Sequence, residues 1–286
     1  MIPAAFENTR AGSVDEALRL LADDDGARVL AGGQSLLPLM KLRLASPGTL
    51  VDIGRLDELR GIDRLDDGRL QIGALTTYAQ LLDSEAEHYG VLRDALPSIG
   101  DVQVRNLGTV GGAVSHADPA SDLPAALLAL DADLILQSAR GTRTVKANGF
   151  FEGPFQTAIG HDELLTAIVL PGPRDGSGSA YESLEQPASG YAMVGVAVGV
   201  IVGAGNVIEY LGVGITGVGD HPYRASAVES ELVGTTASAD AIAAAAAHAA
   251  DGVTVNSDIH AGADYRTAMS SVITRRAIQK ALARVA

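Results

Sequence analysis

A chain of 286 residues sits near two average domains and is long enough to bury roughly three quarters of its unfolded surface, so folding needs no special staple. It contains no cysteine, which excludes disulfides, thiolate nucleophiles, cysteine-held zinc and the usual iron–sulfur clusters, so any metal redox centre must belong to another chain. A formal net charge of −14 opposes nucleic acid and anionic membranes, both of which are recognised through clustered Lys and Arg.

The opening MIPAAFENTR has neither a basic n-region nor an apolar h-region, which reads as a cytoplasmic protein. Ser13 followed by Glu16 forms a capping box for a helix over 14–22. A short strand at 28–31 ends at Gly32-Gly33, after which Ser35 caps a helix that tolerates Pro38 in its first turn. Strands follow at 49–53 and 70–74, and Thr76-Thr77 caps a helix through Leu82. Beyond a helix at 89–99, the segment 101–116 has three glycines and no helical period, and reads as an ordered loop. Asp122 caps a short helix over 124–130, and strands return at 133–137 and 163–170.

The stretch 171–178 carries two prolines and three glycines and reads as a linker. Past it come strands at 180–184, 193–202 and 207–215, the last two joined as a hairpin through Gly203-Ala204-Gly205-Asn206. Helices are expected at 224–232, 239–250 and 265–285. The longest apolar stretch, 191–204, is shorter than the roughly eighteen residues of a membrane span and is broken by Gly195, Gly199 and Gly203, so it reads as buried strand.

Chemistry concentrates at two glycine pairs. In Ala31-Gly32-Gly33-Gln34-Ser35, adjacent glycines allow positive φ and close backbone approach, so that successive N–H groups can face one anion. Thr109-Val110-Gly111-Gly112-Ala113 repeats the pattern with a hydroxyl beside it. One such pair alone is ordinarily a tight turn, whereas two suit a diphosphate, and backbone donors fit an acidic protein with few cations to spare. Gly212-Val213-Gly214-Ile215-Thr216-Gly217 matches G-x-G-x-x-G literally, but Asp220-His221-Pro222 delays the following helix, so it is not a dinucleotide fingerprint. The six histidines show no metal-ligand spacing. His116, Asp118 and Asp122 can be drawn as an acid–base cluster, but helix capping is the simpler role for the two acids. No G-x-S-x-G elbow or P-loop is present.

Three stretches in order carry a resemblance: residues 31–43 (AGGQSLLPLMKLR), 103–112 (QVRNLGTVGG) and 118–124 (DPASDLP). Together with Tyr191-Ala192-Met193-Val194-Gly195, Gly212-Val213-Gly214, Pro222-Tyr223-Arg224-Ala225 and Tyr265-Arg266, they resemble the FAD-binding medium subunits of the xanthine dehydrogenase and carbon monoxide dehydrogenase family over nearly the whole chain. The resemblance implies an α+β protein. A two-lobed PCMH-type FAD-binding domain would occupy 1–175, with α/β lobes at about 1–55 and 56–175. A smaller C-terminal domain at 176–286 would have an antiparallel sheet flanked by helices.

It also implies a large molybdopterin subunit and a small subunit with [2Fe-2S] clusters as partners, in a dimer of heterotrimers. Electrons would reach FAD from the clusters and leave to NAD or a quinone, with no catalytic residue and no metal ligand on this chain. Carried over by position, Val29, Leu30, Ala31, Gly32, Gly33, Gln34, Ser35 and Leu36, with Thr109, Gly111, Gly112 and Ala113, would cradle the diphosphate and its neighbourhood. Asp122 would bind the polar chain of the cofactor, with Ile99 and Leu164 as apolar neighbours. Tyr191 would lie near the isoalloxazine ring, although by its residues alone it reads as an ordinary strand tyrosine. Two positions depart from the pattern: Ala113 stands where many relatives have Asn, and Glu182-Ser183-Leu184 where many have a Lys. Two other readings compete, a free-standing FAD oxidase with its own substrate site and a non-redox scaffold that has lost FAD; the intact glycine pairs oppose the second.

Overall fold

The computed structural model describes residues 1–285, apart from the side chains of Glu85 and Glu87. Its first layer is built from β1 (Glu7–Arg10), α1 (Val14–Asp23), β2 (Arg28–Leu30), α2 (Leu36–Lys41) and β3 (Thr49–Asp52), with the strands in the order β1-β3-β2, all parallel. The Ser13 hydroxyl accepts from Glu16 N–H at 3.1 Å, as the capping signal requires. The other half of the box differs, since the Glu16 carboxylate accepts from Gly12 N–H rather than Ser13 N–H. Ser35 makes no side-chain cap; its backbone is already helical, which turns the hydroxyl away from the amides it would have to reach.

The second layer contains β4 (Ile62–Arg64), β5 (Leu70–Gly73), α3 (Tyr78–Leu82), α4 (Gly90–Ala95), α5 (Val102–Leu107), α6 (Val110–His116), α7 (Asp122–Ala129), β6 (Asp133–Ser138), β7 (Gly141–Lys146), the small pair β8 (Phe151–Gly153) and β9 (Gln156–Thr157), and β10 (Leu164–Leu170). Its sheet runs β4-β5-β10-β6-β7, antiparallel throughout. Two expectations are corrected here. The segment 101–116 is two short helices, each opened by a side-chain cap, Asp101 on Val104 N–H and Thr109 on Gly112 N–H. Glycine-poor helical period was absent because each helix is under two and a half turns and Gly111-Gly112 lie inside one. Asp122 is the first residue of α7 and caps nothing, because Ser121 holds the cap position.

The third layer is β11 (Ser177–Glu185), β12 (Ala192–Val202), β13 (Ile208–Thr216) and β14 (Tyr223–Arg224) in that order, with α8 (Ser226–Leu232), α9 (Ala239–Ala246) and α10 (Ala263–Leu282). Arg224 is therefore in a strand and not in the helix expected from 224, and the alanine-rich helix stops at Ala246. Tyr191 lies in the turn before β12, not in the strand, with its carbonyl accepting from Gln186 N–H.

Every residue of α7 is buried. One side of it packs into the second layer, and the other lies on the third sheet through glycines. A Cβ on Gly214 would stand 2.1 Å from the Ala125 carbonyl oxygen, and one on Gly212 would stand 2.2 Å from that of Ala129. Gly199 pairs with Gly212 across the sheet and meets the same Ala129 oxygen at 2.8 Å. Gly212 and Gly214 are glycines of the rejected G-x-G-x-x-G run, and with Gly199 they let a helix backbone lie against a sheet backbone. Leu59, Leu75 and Leu164 belong to the core of the first layer although they come from the second, so the two share a seam.

Gly214→Val is expected to cost about 1–3 kcal/mol or more, because neither backbone can retreat, and to lower the melting temperature by roughly 2–4 °C per kcal/mol. Gly48→Ala, where a Cβ meets nothing within 4 Å, is the control and should stay within about 0.5 kcal/mol of the parent in thermal unfolding.

Candidate functional site

A cleft of about 1050 Å³ opens where the first layer, α5, α6, the start of α7 and the turn before β12 come together. Its volume is at the upper end of ligand pockets, roughly 300–1,000 Å³. One wall is Val29, Leu30, Ala31, Gly32, Gly33, Gln34, Ser35 and Leu36; the facing wall is Thr109, Gly111, Gly112 and Ala113. Ile99, Asp122, Leu164 and Tyr191 also line it, so all sixteen residues singled out by resemblance share one concavity.

The two glycine pairs do different things. In the first, Gly33 has φ +70°, a left-handed value that glycine takes without strain. A Cβ on Gly32 would lie 1.9 Å from the Leu107 carbonyl oxygen, so this glycine lets the two walls touch. From Gly32 to Leu36 no backbone N–H meets an acceptor among the described residues, while Leu37 N–H is the first to find one, on Gly33. Five successive half-buried residues that line the cleft therefore keep their amide donors uncommitted. Such a run is costly unless something accepts from it.

The second pair offers no equivalent. Val110 N–H donates to Thr76, Gly111 N–H to Ala74, Gly112 N–H to the Thr109 hydroxyl and Ala113 N–H to the Thr109 carbonyl, at 2.9–3.1 Å. The expectation that both pairs present free amides is thus corrected: the carbonyls of Thr76 and Ala74 and the capping residue Thr109 take up the second set. Gly111 serves packing, since a Cβ there would lie 2.5 Å from that of Ala74. Gly112 and Ala113 give a wall without side-chain bulk, and the Thr109 hydroxyl keeps its proton to donate.

Asp122 is only 7% exposed, and its carboxyl accepts from the Tyr181 hydroxyl on β11. Burial pushes its pKa up to about 7, against the Tyr181 hydrogen bond, while the charges of Glu185 and Asp118 push the same way as burial. Burial also raises the hydroxyls of Tyr78 and Tyr191, both on the cleft, and each feels Asp122. His116 is lowered by burial and raised by Asp118. Sequence reading missed Tyr78 and Tyr181: one follows a helix cap and the other sits in an ordinary-looking strand, so neither carried a local signal. Among the described residues no group of three or more His, Asp or Glu could hold a metal ion, and no helix is long and apolar enough to cross a membrane.

Residues 4–173 match the model of the FAD binding domain in molybdopterin dehydrogenase, and residues 179–281 that of the CO dehydrogenase flavoprotein C-terminal domain. The chain belongs to the FAD-binding medium subunits of that family. It is 41% identical to the glyceraldehyde dehydrogenase medium chain of Sulfolobus acidocaldarius, over 98% of this chain and 99% of the other. Carbon monoxide dehydrogenase from Hydrogenophaga pseudoflava, in a solved form that lacks the Mo-pyranopterin moiety of the molybdenum cofactor, superposes with a TM-score of 0.95 at 39% identity, covering 100% of both chains. Quinoline 2-oxidoreductase from Pseudomonas putida 86 superposes with a TM-score of 0.89 at 32% identity, covering 99% of both. The cofactor of the family is FAD, and the cleft suits it: uncommitted amides for a diphosphate, a walled space that a Cβ would fill, a buried carboxyl for hydroxyls and apolar flanks.

The raised pKa of Asp122 gives a signed prediction for this FAD subunit. Its native value, about 7, lies above the ordinary 3.8, so the folded chain keeps a proton that the unfolded chain releases. The stability it contributes is complete below about pH 3.8 and is lost as the pH rises through about 7. The stability of the cofactor-free chain relative to Asp122→Asn should fall by roughly 1.4 kcal/mol per pH unit in that window. Urea unfolding of both at pH 5, 6, 7 and 8 checks it; parallel profiles refute it.

Proposed function

We propose that the chain is the FAD-bearing electron-transfer subunit of a molybdenum hydroxylase complex. It takes electrons from [2Fe-2S] clusters on a small partner subunit and passes them by way of FAD to NAD or a quinone, while a large molybdopterin subunit carries out substrate chemistry. The assembly in this reading is a cytoplasmic dimer of heterotrimers. The observation that carries it is the run of uncommitted amides at residues 32–36 opposite a glycine wall, in a chain of this family. The absence of cysteine supports it, since clusters need thiolates from elsewhere. So do the names of relatives, which are medium chains.

When bound, FAD supplies the electron exchange, and the protein supplies position and electrostatics. The amides of 32–36 hold the diphosphate in a chain of net charge −14 without recruiting a Lys or Arg. Thr109 donates a hydroxyl, and Gly111, Gly112 and Ala113 allow close approach. Asp122 would accept from hydroxyls of the polar chain, with Ile99 and Leu164 as its apolar neighbours, and Tyr191, 52% exposed and on the cleft, would serve the ring. With Ala113 where relatives carry Asn, that wall contributes no side-chain amide. We read the domains as 1–175, with lobes at about 1–55 and 56–175, and 176–286; the three larger sheets, one in each unit, support the division, and Ala286 lies outside the described residues.

Gly33→Val is expected to abolish FAD retention while far-UV circular dichroism stays close to the parent. A branched Cβ at φ +70° is strained and crowds Leu37 at 2.9 Å, so the amides turn from their acceptor. Two lost charge-assisted hydrogen bonds, each about 1.5–3 kcal/mol, weaken binding at least about a hundredfold. A full complement of FAD in the purified variant rules the assignment out.

The FAD-loaded chain alone should oxidise no purine, aldehyde or N-heterocycle, yet bleach with dithionite. Anaerobic flavin absorbance against a substrate panel decides it, with rapid substrate-specific bleaching in the absence of partners favouring a free-standing oxidase instead. Adding cluster-bearing and molybdenum-bearing partners should make bleaching substrate-dependent.

A further inference from the structure

The last helix reaches the cleft through one strand. Tyr181 lies on β11, the outer strand of the third sheet, whose outward main-chain groups need cover. Its N–H donates to Asp94 Oδ2 on α4 at 3.1 Å, and its carbonyl accepts from Lys280 Nζ on α10 at 3.1 Å. Asp94 accepts from both terminal nitrogens of the Arg284 guanidinium, at 2.6 and 2.9 Å, and pairs with Lys280 at 3.2 Å. Lys280 also pairs with Glu182 at 2.6 Å. The side chains of Asp94, Arg284 and Lys280 are 14%, 26% and 34% exposed, so solvent screens the cluster less than a surface pair. The Tyr181 ring then passes over Gly195, where a Cβ would lie 2.1 Å from its hydroxyl oxygen, and that hydroxyl donates to Asp122. One residue is thus pinned along its backbone and aimed through a glycine slot at a carboxyl in the cleft.

We propose that Asp94, Lys280 and Arg284 are positioning residues for the cofactor site: acting through Tyr181, they set where the Asp122 carboxyl points. This rests on the reading of the cleft as the FAD site. The other titratable groups facing Asp122 are Asp118 ahead of α7, Glu185 at the end of β11, Tyr78 on α3 and Tyr191 in the turn before β12, with His116 on α6 beside Asp118. None of them touches the Asp94–Lys280–Arg284 cluster, so its influence on Asp122 runs by way of Tyr181.

The test uses the full chain with Tyr181→Phe, Asp94→Asn, Lys280→Met, and the last two combined with Tyr181→Phe. Two quantities are read: the protonation midpoint of Asp122, from the pH-dependent stability difference against Asp122→Asn in the same background, and the FAD dissociation constant from flavin fluorescence above that midpoint. Tyr181→Phe removes a donor that favours the ionised carboxylate, so the midpoint rises. Positioning requires Asp94→Asn and Lys280→Met both to raise it by less, to weaken FAD about three- to tenfold, and to add nothing once Tyr181 is Phe. A direct charge effect instead gives opposite signs, because one variant removes an anion and the other a cation. Opposite shifts, or lower melting temperatures with an unmoved midpoint, overturn the proposal and leave a clamp on an edge strand. Weaker FAD binding in Asp122→Asn alone overturns it while sparing the reading of the cleft. Unchanged FAD affinity in every variant, Asp122→Asn included, removes the cofactor role of Asp122 and the proposal with it.

Discussion

Helix α7 has no solvent face, since all eight of its residues from Asp122 to Ala129 are buried, and each flank must meet a surface shaped for it. On one side the second layer supplies apolar side chains. On the other, Gly199, Gly212 and Gly214 remove side chains altogether, so that sheet and helix backbones meet through carbonyl oxygens. The contact leaves nowhere for a one-methyl adjustment, as expected of interiors packed to crystal density. It also fixes the end of the helix that matters for function, because Asp122 begins α7 and its carboxyl is carried into the cleft with no freedom to withdraw.

A buried carboxyl at that place has consequences for its surroundings. Removing it from water disfavours the charged form, and Glu185 and Asp118 add to the effect, so a single hydroxyl donor from Tyr181 is its main support within the chain. That donor comes from the third sheet, and its strand is held by charges on α4 and beyond α10. The cleft is therefore lined largely by the first two layers but tuned from the third. A flavin subunit gains from this arrangement, since its part in the chemistry is to place and polarise a cofactor.

The acidic balance of the chain and its anionic cofactor are reconciled in the backbone. Phosphate recognition by Lys or Arg would oppose the surrounding carboxylates with full charges, whereas amides bring partial positive charge with no counter-ion demand. In the proposed site the first glycine pair offers this, with the amides from Gly32 to the first residue of α2 left uncommitted. The second pair looks alike in sequence, yet its amides are spent on Thr76, Ala74 and Thr109, and it acts as a smooth wall.

Sequence alone determined much of this protein. The capping residues Ser13 and Thr77, the strand periods, the hairpin around Gly203-Ala204-Gly205-Asn206 and the lack of cysteine are local or compositional, and each was legible because its physics acts within a few residues. The ordered motifs located both walls of the cleft. What tertiary structure alone decided was the partner of each group. Asp122 looked like a helix cap, and became a buried acceptor because Tyr181, fifty-nine positions later, crosses Gly195 to reach it. The glycines at 212 and 214 imitated a nucleotide fingerprint, and proved to be the seat of α7. The segment 101–116 hid two helices too short for a period to show. For Asp122 and for the glycines at 212 and 214 the deciding contact spans dozens of residues, and no window along the chain contains both of its members.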